Sequence, residues 1–210
     1  DNALIAVDLV LQAQARGYGA SQLAGAPRIV GVDPARFGDD RSVIFCRQGL
    51  QAFEPQVFCH IDNMALAARV AQTIESFRPD AVFIDAGCGS GVIDRLRQLG
   101  FTVTEVPFGS TPLQEGRYAN KRAEMWGEMA QWLQSGGALP KAPALKADLC
   151  VPQYDFDPSG KMRLESKDKI KERCGRSPDL GDALALTFAF PVRARSAMGA
   201  EFARSDYGVL

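Results

Sequence analysis

The 210-residue chain has a single histidine, His60. That excludes a histidine-rich metal site, and any Ser/His/Asp triad would have to use this one residue. His60 ends an apparent strand, where a partly buried, hydrogen-bonded side chain is expected. Cysteine is sparse too. Cys46, Cys59, Cys88, Cys150 and Cys174 are odd in number and scattered, and no pair sits at zinc-ligand spacing. They read as reduced, mostly buried thiols of a cytoplasmic protein. No apolar run is long enough to cross a bilayer, and the first residues are not built like a signal peptide. Neither sign of charge is in excess: 24 Lys and Arg stand against 25 Asp and Glu, a net charge of −1. The chain as a whole is not drawn to nucleic acid, so any DNA contact needs a local basic patch.

What is present is 46% hydrophobic residues, enough for one sizeable core. Residues 1–27 read as a lead-in segment, with Leu4, Ile5, Val7, Leu9, Val10 and Leu11 on one side of a short helix that Arg16-Gly17-Tyr18-Gly19 breaks. Residues 28–33 read as a buried strand ended by Pro34, Gly38-Asp39-Asp40 as a turn, and residues 42–48 and 56–61 as two more strands. Their short connections favour antiparallel neighbours. Residues 64–77 place Leu66, Val70, Ile74 and Phe77 at helical spacing. Residues 81–85 form a nearly continuous apolar strand, suited to a central parallel position. A helix over 91–99 and a strand over 101–106 follow, with right-handed crossovers expected. Residues 120–135 form an amphipathic helix with Trp126, Met129, Ala130 and Leu133 on one face. Residues 150–155 and 161–164 flank Asp157-Pro158-Ser159-Gly160 as a hairpin. Ser177-Pro178 opens a last helix, Ser as cap and Pro at its first position, with Leu180, Leu184 and Phe188 as its apolar stripe. One domain over 28–190 and a loose tail over 191–210 complete the division.

Three antiparallel strands, then parallel strands alternating with helices, then an added hairpin: this order suits an α/β RNase H-like mixed sheet flanked by helices. In that order the strand after the first long helix lies beside the first strand. Asp33 and Asp85 then end adjacent parallel strands at one sheet edge, where ligand sites of open α/β sheets form. Asp182 lies in the first turns of the last helix. Taken singly, a strand-ending Asp is equally a turn former, and Asp182 equally a partner of the helix dipole. Together they suggest a carboxylate cluster that repels itself unless cations are bound, and hard oxygen ligands select Mg2+ or Mn2+. Two such ions roughly 3.5–4 Å apart activate a water and stabilise the leaving oxygen in phosphodiester cleavage. That chemistry needs no nucleophilic side chain.

These residues resemble a family. Gly31-Val32-Asp33-Pro34-Ala35 followed by Gly38-Asp39-Asp40-Arg41-Ser42, Val82-Phe83-Ile84-Asp85 with the glycines after it, and Ser177-Pro178-Asp179-Leu180-Gly181-Asp182-Ala183-Leu184 are similar to the motifs of phage terminase large-subunit nuclease domains. The last is the most specific, and the likeness runs over residues 28–190, with 3–16 resembling the connector from an ATPase domain. The resemblance implies an RNase H-like endonuclease for double-stranded DNA acting in viral genome packaging. It also implies two Mg2+ or Mn2+ ions held by the catalytic acids Asp33, Asp85 and Asp182. Asp39 is implied as a ligand of the second ion, with Asp40 competing for that role. Asp179 is open between an acid supporting the ligands and a helix-start acid. Implied partners are the ATPase domain of the same motor, the portal and the small terminase subunit, in the host cytoplasm. No Gly-x-x-x-x-Gly-Lys-Ser/Thr stretch occurs, so the ATPase half is not in this sequence.

Lys161, Arg163, Lys167, Lys169, Lys171, Arg173 and Arg176 stand against three acids in the same stretch, the best candidate for tracking a phosphate backbone. A solvated charged face is the alternative. Arg117, Lys121 and Arg122 form a smaller cluster. Rival readings exist. Asp85-Ala86-Gly87-Cys88-Gly89-Ser90-Gly91 matches a turn that binds S-adenosylmethionine in methyltransferases, with Glu105 placed for the ribose. Against it, three hairpin-like strands precede the motif, and the first and last acidic motifs go unexplained. A sugar-kinase-like ATPase lacks its second half here, and a non-catalytic module of the same fold is the remaining alternative.

Overall fold

The computed structural model describes residues 2–35 and 41–195. The chain enters through α1 (Val7–Gln14) and a single turn, α2 (Ala20–Leu23), before the strands β1 (Arg28–Asp33), β2 (Arg41–Gln48), β3 (Gln51–Ala52) and β4 (Gln56–Cys59). Next come α3 (Asn63–Phe77), β5 (Ala81–Asp85), α4 (Ala86–Gln98) and β6 (Thr104–Val106). Two helices, α5 (Lys121–Gln134) and α6 (Pro143–Cys150), lead to a hairpin of β7 (Tyr154–Phe156) and β8 (Met162–Leu164). The chain closes on α7 (Lys167–Cys174) and α8 (Asp179–Leu186). The sheet order is β3-β2-β1-β5-β6, with β4 also on β2. β1 runs antiparallel to β2 and parallel to β5, and β5 parallel to β6. The RNase H-like mixed sheet expected from the sequence, with its added hairpin, is the one observed.

The period-two alternation of strand side chains divides the core into two layers. Val30, Val32, Ile44, Val82 and Ile84 face one way and pack with Leu66 and Val70 of α3 and Val92, Ile93 and Leu96 of α4. Ile29, Val43, Phe45 and Phe83 face the other way, onto a layer built from α1, α5, α6 and α8. The lead-in is part of that second layer, because Ile5, Val10 and Ala13 are buried in it.

Several expected elements differ. The strand expected over 56–61 stops at Cys59, where His60 takes a left-handed φ of 55°, and a further two-residue strand, β3, precedes it. His60 is exposed, not partly buried. The helix after Asp85 starts at Ala86, five residues early, so the glycines lie inside its first turns. The last helix is preceded by Pro178 with no side-chain cap, and Phe188 falls past its end. α6 and α7 were not expected. α7 carries one buried residue, Ile170, so it shows no apolar period; Ser166 accepts from the Lys169 N–H to cap it, and Gly175 closes it at φ 75°. Cys59 is exposed and the other four cysteines are half-buried, not mostly buried. Of the expected tail, Val192 packs on the core and the Arg195 N–H donates to Asp80 Oδ1 at 2.9 Å. Residues 196–210 lie outside the described residues.

Candidate metal centre

Alternation along β1 puts Gly31 and Asp33 on the face that α8 covers, and along β5 it does the same for Phe83 and Asp85. Val32 pairs with Ile84, so the two acids end neighbouring parallel strands. Gly31 is what lets α8 approach. A Cβ there would lie 2.1 Å from the Ala183 carbonyl oxygen, so only a bare backbone admits the helix. The buried Asp182 is thereby brought to the Asp33 end of the strand, with Asp179 one turn before it.

One ammonium links the acids. Lys167 Nζ is 3.1 and 3.0 Å from the two oxygens of Asp33 and 3.3 Å from Asp182 Oδ2. It also lies 5.0 Å from the centre of the Phe108 ring. Asp85 accepts the Gly87 N–H at 3.0 Å and so caps α4 while lining the same cleft. Asp179 Oδ2 accepts from the Arg41 N–H and Nε at 3.3 and 3.4 Å. The cleft has a volume of about 680 Å³, and Asp33, Asp85, Asp179, Lys167, Phe108 and Cys88 are among its walls.

Burial pushes the Asp33 carboxyl well above the usual range; Lys167 opposes this, and Asp182, Asp85 and Asp179 add to it. Asp85 is raised for the same first reason, burial, against the pull of Lys167. Asp182 goes the other way. Burial would raise it, but Arg122, Lys167 and the Trp126 N–H outweigh burial and hold it low. Lys167 is held above its ordinary value, since Asp33, Asp182 and Asp85 overcome its own burial.

An all-carboxylate donor set fits a hard divalent cation. As the side chains stand, no group of three acids, cysteines or histidines among the described residues is close enough to hold one. The Lys167 ammonium lies between Asp33 and Asp182. Asp39, Asp40 and the turn assigned to them lie outside the described residues.

The basic segment is divided. Lys167 and Lys171 line the cleft, Lys169 is exposed and Lys161 is half-buried. Arg163 pairs with Asp155, Arg173 with Glu165 and Arg176 with Asp148, each at 2.6 Å. The smaller cluster at 117–122 is no exposed patch: Lys121 and Arg122 are buried, on Glu124 and Asp182 respectively. Sequence reasoning missed Arg122 and Trp126 as partners of Asp182, and Asp148 as the anchor of Arg41, Arg176 and the Leu180 N–H. The one signal in the sequence was an arginine four residues before a tryptophan on one helix face.

The sheet and its covering helices form an RNase H-like α/β fold. No protein-family model matches the sequence, and no curated protein sequence matches it. Solved structures do. The nuclease domain of the large terminase subunit gp2 of bacterial virus Sf6 superposes with a TM-score of 0.75 at 20% identity, over 90% of this chain and 100% of that one. The large terminase nuclease of thermophilic phage G20c with bound magnesium gives 0.64 at 18% identity, over 90% and 97%. The large terminase nuclease domain of Thermus phage P74-26 gives 0.62 at 17%, over 89% and 94%. A variant of the Sf6 domain is described with manganese and beta-thujaplicinol.

Proposed function

We propose that this chain is a metal-dependent endodeoxyribonuclease that cuts double-stranded DNA during viral genome packaging. The observation that carries the reading is the Lys167 ammonium shared by Asp33 and Asp182 beside a cleft that Asp33 and Asp85 line, on a fold similar to that of solved terminase nucleases. Asp33, Asp85 and Asp182 are the proposed ligands, with Asp39 serving a second ion, Asp40 its competitor and Asp179 beside them. Two Mg2+ or Mn2+ ions, when bound, supply an activated water and charge stabilisation at the scissile phosphate.

The chain's own residues do the rest. The carboxylates keep the cleft negative enough to draw divalent cations. Lys167 neutralises Asp33 and Asp182; with a divalent cation held by those carboxylates, its ammonium on a flexible stem would be available to contact phosphate. Lys161, Arg163, Lys169, Lys171, Arg173 and Arg176 are the proposed contacts to the DNA backbone beside Lys167. In the motor, the partners are the ATPase domain of the same protein, the portal and the small terminase subunit, in the host cytoplasm. No helix among the described residues is long and apolar enough to cross a membrane.

The test is incubation with supercoiled plasmid and Mn2+, with and without chelator, alongside a measurement of S-adenosylmethionine binding. Nicking and linearisation that chelator stops are expected. Binding of S-adenosylmethionine without cleavage would transfer the site to the methyltransferase reading. Neither activity in a folded protein would leave a non-catalytic module.

A further inference from the structure

Asp182 is held differently from the other acids. Its Oδ1 accepts two hydrogen bonds at 2.8 Å, one from Arg122 Nε and one from Trp126 Nε1. A carboxylate oxygen has about two acceptor sites, so Oδ1 is full. Among the described residues, Oδ2 has only a long contact of 3.4 Å to the Arg122 terminal nitrogen and the 3.3 Å contact to Lys167. Oδ2 is therefore the oxygen turned to the ammonium that Asp33 shares.

The clamp has no slack. Trp126 and Asp182 are both fully buried. Gly181, the residue before Asp182, lies flat against the indole, where a Cβ would come 2.5 Å from Trp126 Cη2. Arg122 is tied in turn by its second nitrogen to the Glu165 carbonyl at 2.6 Å, two residues before Lys167. The two donors come from successive turns of α5, which packs on α8.

We propose that Trp126 and Arg122 are positioning residues that restrict Asp182 to a one-oxygen ligand, reserving Oδ2 for the divalent cation. The proposal rests on the reading of Asp182 as a metal ligand. A one-oxygen carboxylate suits Mg2+, which demands a near-ideal octahedron and keeps several waters, and Mn2+, which takes the same octahedral oxygen sites. Ca2+ accepts a carboxylate through both oxygens. The clamp thus favours the smaller ions.

The experiment replaces one atom. Trp126→benzothienylalanine keeps the fused ring and exchanges its N–H for sulfur. Calorimetric titration of the metal-free protein with Mn2+, Mg2+ and Ca2+ separately should show Mn2+ and Mg2+ binding weakened about tenfold, in the range usual when a metal ligand loses its hydrogen-bond partner. Ca2+ binding should fall less, so the preference for Mg2+ over Ca2+ narrows. A merely structural role would move all three together or none. Asp182→Asn is run in parallel. If it weakens Mn2+ binding while the Trp126 variant binds all three ions as the wild type does, the positioning role is overturned and the ligand reading stands. If Asp182→Asn leaves Mn2+ binding unchanged, the ligand reading itself falls and the proposal with it. A measurement on the unaltered chain guards against misfolding of the variant. The Trp126 indole N–H resonance should shift on Mg2+ titration, while that of Trp132, bonded to the Gly49 carbonyl, stays put. An unmoved Trp126 resonance at saturating Mg2+ overturns the proposal.

Discussion

Asp85 and Asp182 are both proposed metal ligands, yet their removal should have opposite effects on the folded chain. Like-charge repulsion alone would make any loss from the cluster stabilising. Asp182, however, is the buried partner of Arg122, and Asp182→Ala strands that guanidinium. Breaking a buried pair costs about 3–5 kcal/mol, so its thermal midpoint without metal should drop clearly. Asp85→Asn keeps an acceptor for the Gly87 N–H and removes a charge, so its midpoint should hold or rise. Asp33→Ala, Asp85→Asn and Asp182→Ala should all abolish Mn2+-dependent plasmid cleavage; full activity in one would remove that residue from the site. The raised carboxyl of Asp85 also sets a pH dependence. Where the unfolded chain has already lost this proton, above the ordinary carboxylate range, the folded chain still holds it, so stability falls as pH rises through the window. The midpoint of Asp85→Asn minus that of the metal-free wild type should therefore grow as pH rises above the ordinary carboxylate range. A constant difference would show Asp85 to be ionised throughout.

At the scale of elements, the site depends on how closely α8 sits on β1. Gly31→Ala puts a methyl against the Ala183 carbonyl, and α8 has to move away. Overpacking of this kind costs about 1–3 kcal/mol, and more where backbone must yield. Cleavage should fall by a larger factor than stability suggests, because Asp182 leaves Asp33. Near-normal kcat at a lowered midpoint would refute that coupling. On α5, Lys121 is buried and Glu124 is its ion-pair partner, while the Leu113 and Gln114 N–H groups also donate to Glu124. Glu124→Ala should cost about 3–5 kcal/mol in urea unfolding for the buried-pair reason already given. An effect below about 1 kcal/mol would mean that water reaches Lys121.

At the scale of the whole molecule, a net charge of −1 leaves DNA affinity to local fields. Substituting Lys167 would confuse two roles, since its ammonium lies on Asp33 and Asp182. The informative triple variant is therefore Lys161→Ala, Lys169→Ala and Lys171→Ala. It should weaken duplex binding, reduce the salt slope by about one unit for each phosphate no longer neutralised, and leave Mn2+ binding no weaker. Wild-type affinity with an unaltered slope would make α7 a solvated face.

Much of this molecule is legible without coordinates, for definite reasons. Continuous apolar runs mark β1 and β5, which are buried on both faces, and apolar residues at a 3.6-residue period mark α3 and α5, because burial leaves these imprints on sequence. The order of those elements implies the mixed sheet, and the strand-ending positions of Asp33 and Asp85 imply their shared edge. α7 leaves no such imprint, having one buried residue, and its sequence reads only as charge. Tertiary structure alone decided which charges meet. Lys167 turns inward to Asp33, Arg122 and Trp126 close on Asp182, and Arg176 is taken by Asp148. A pairing across 60 or 134 residues depends on the distance between side chains after packing, and no local pattern of residue types encodes that distance.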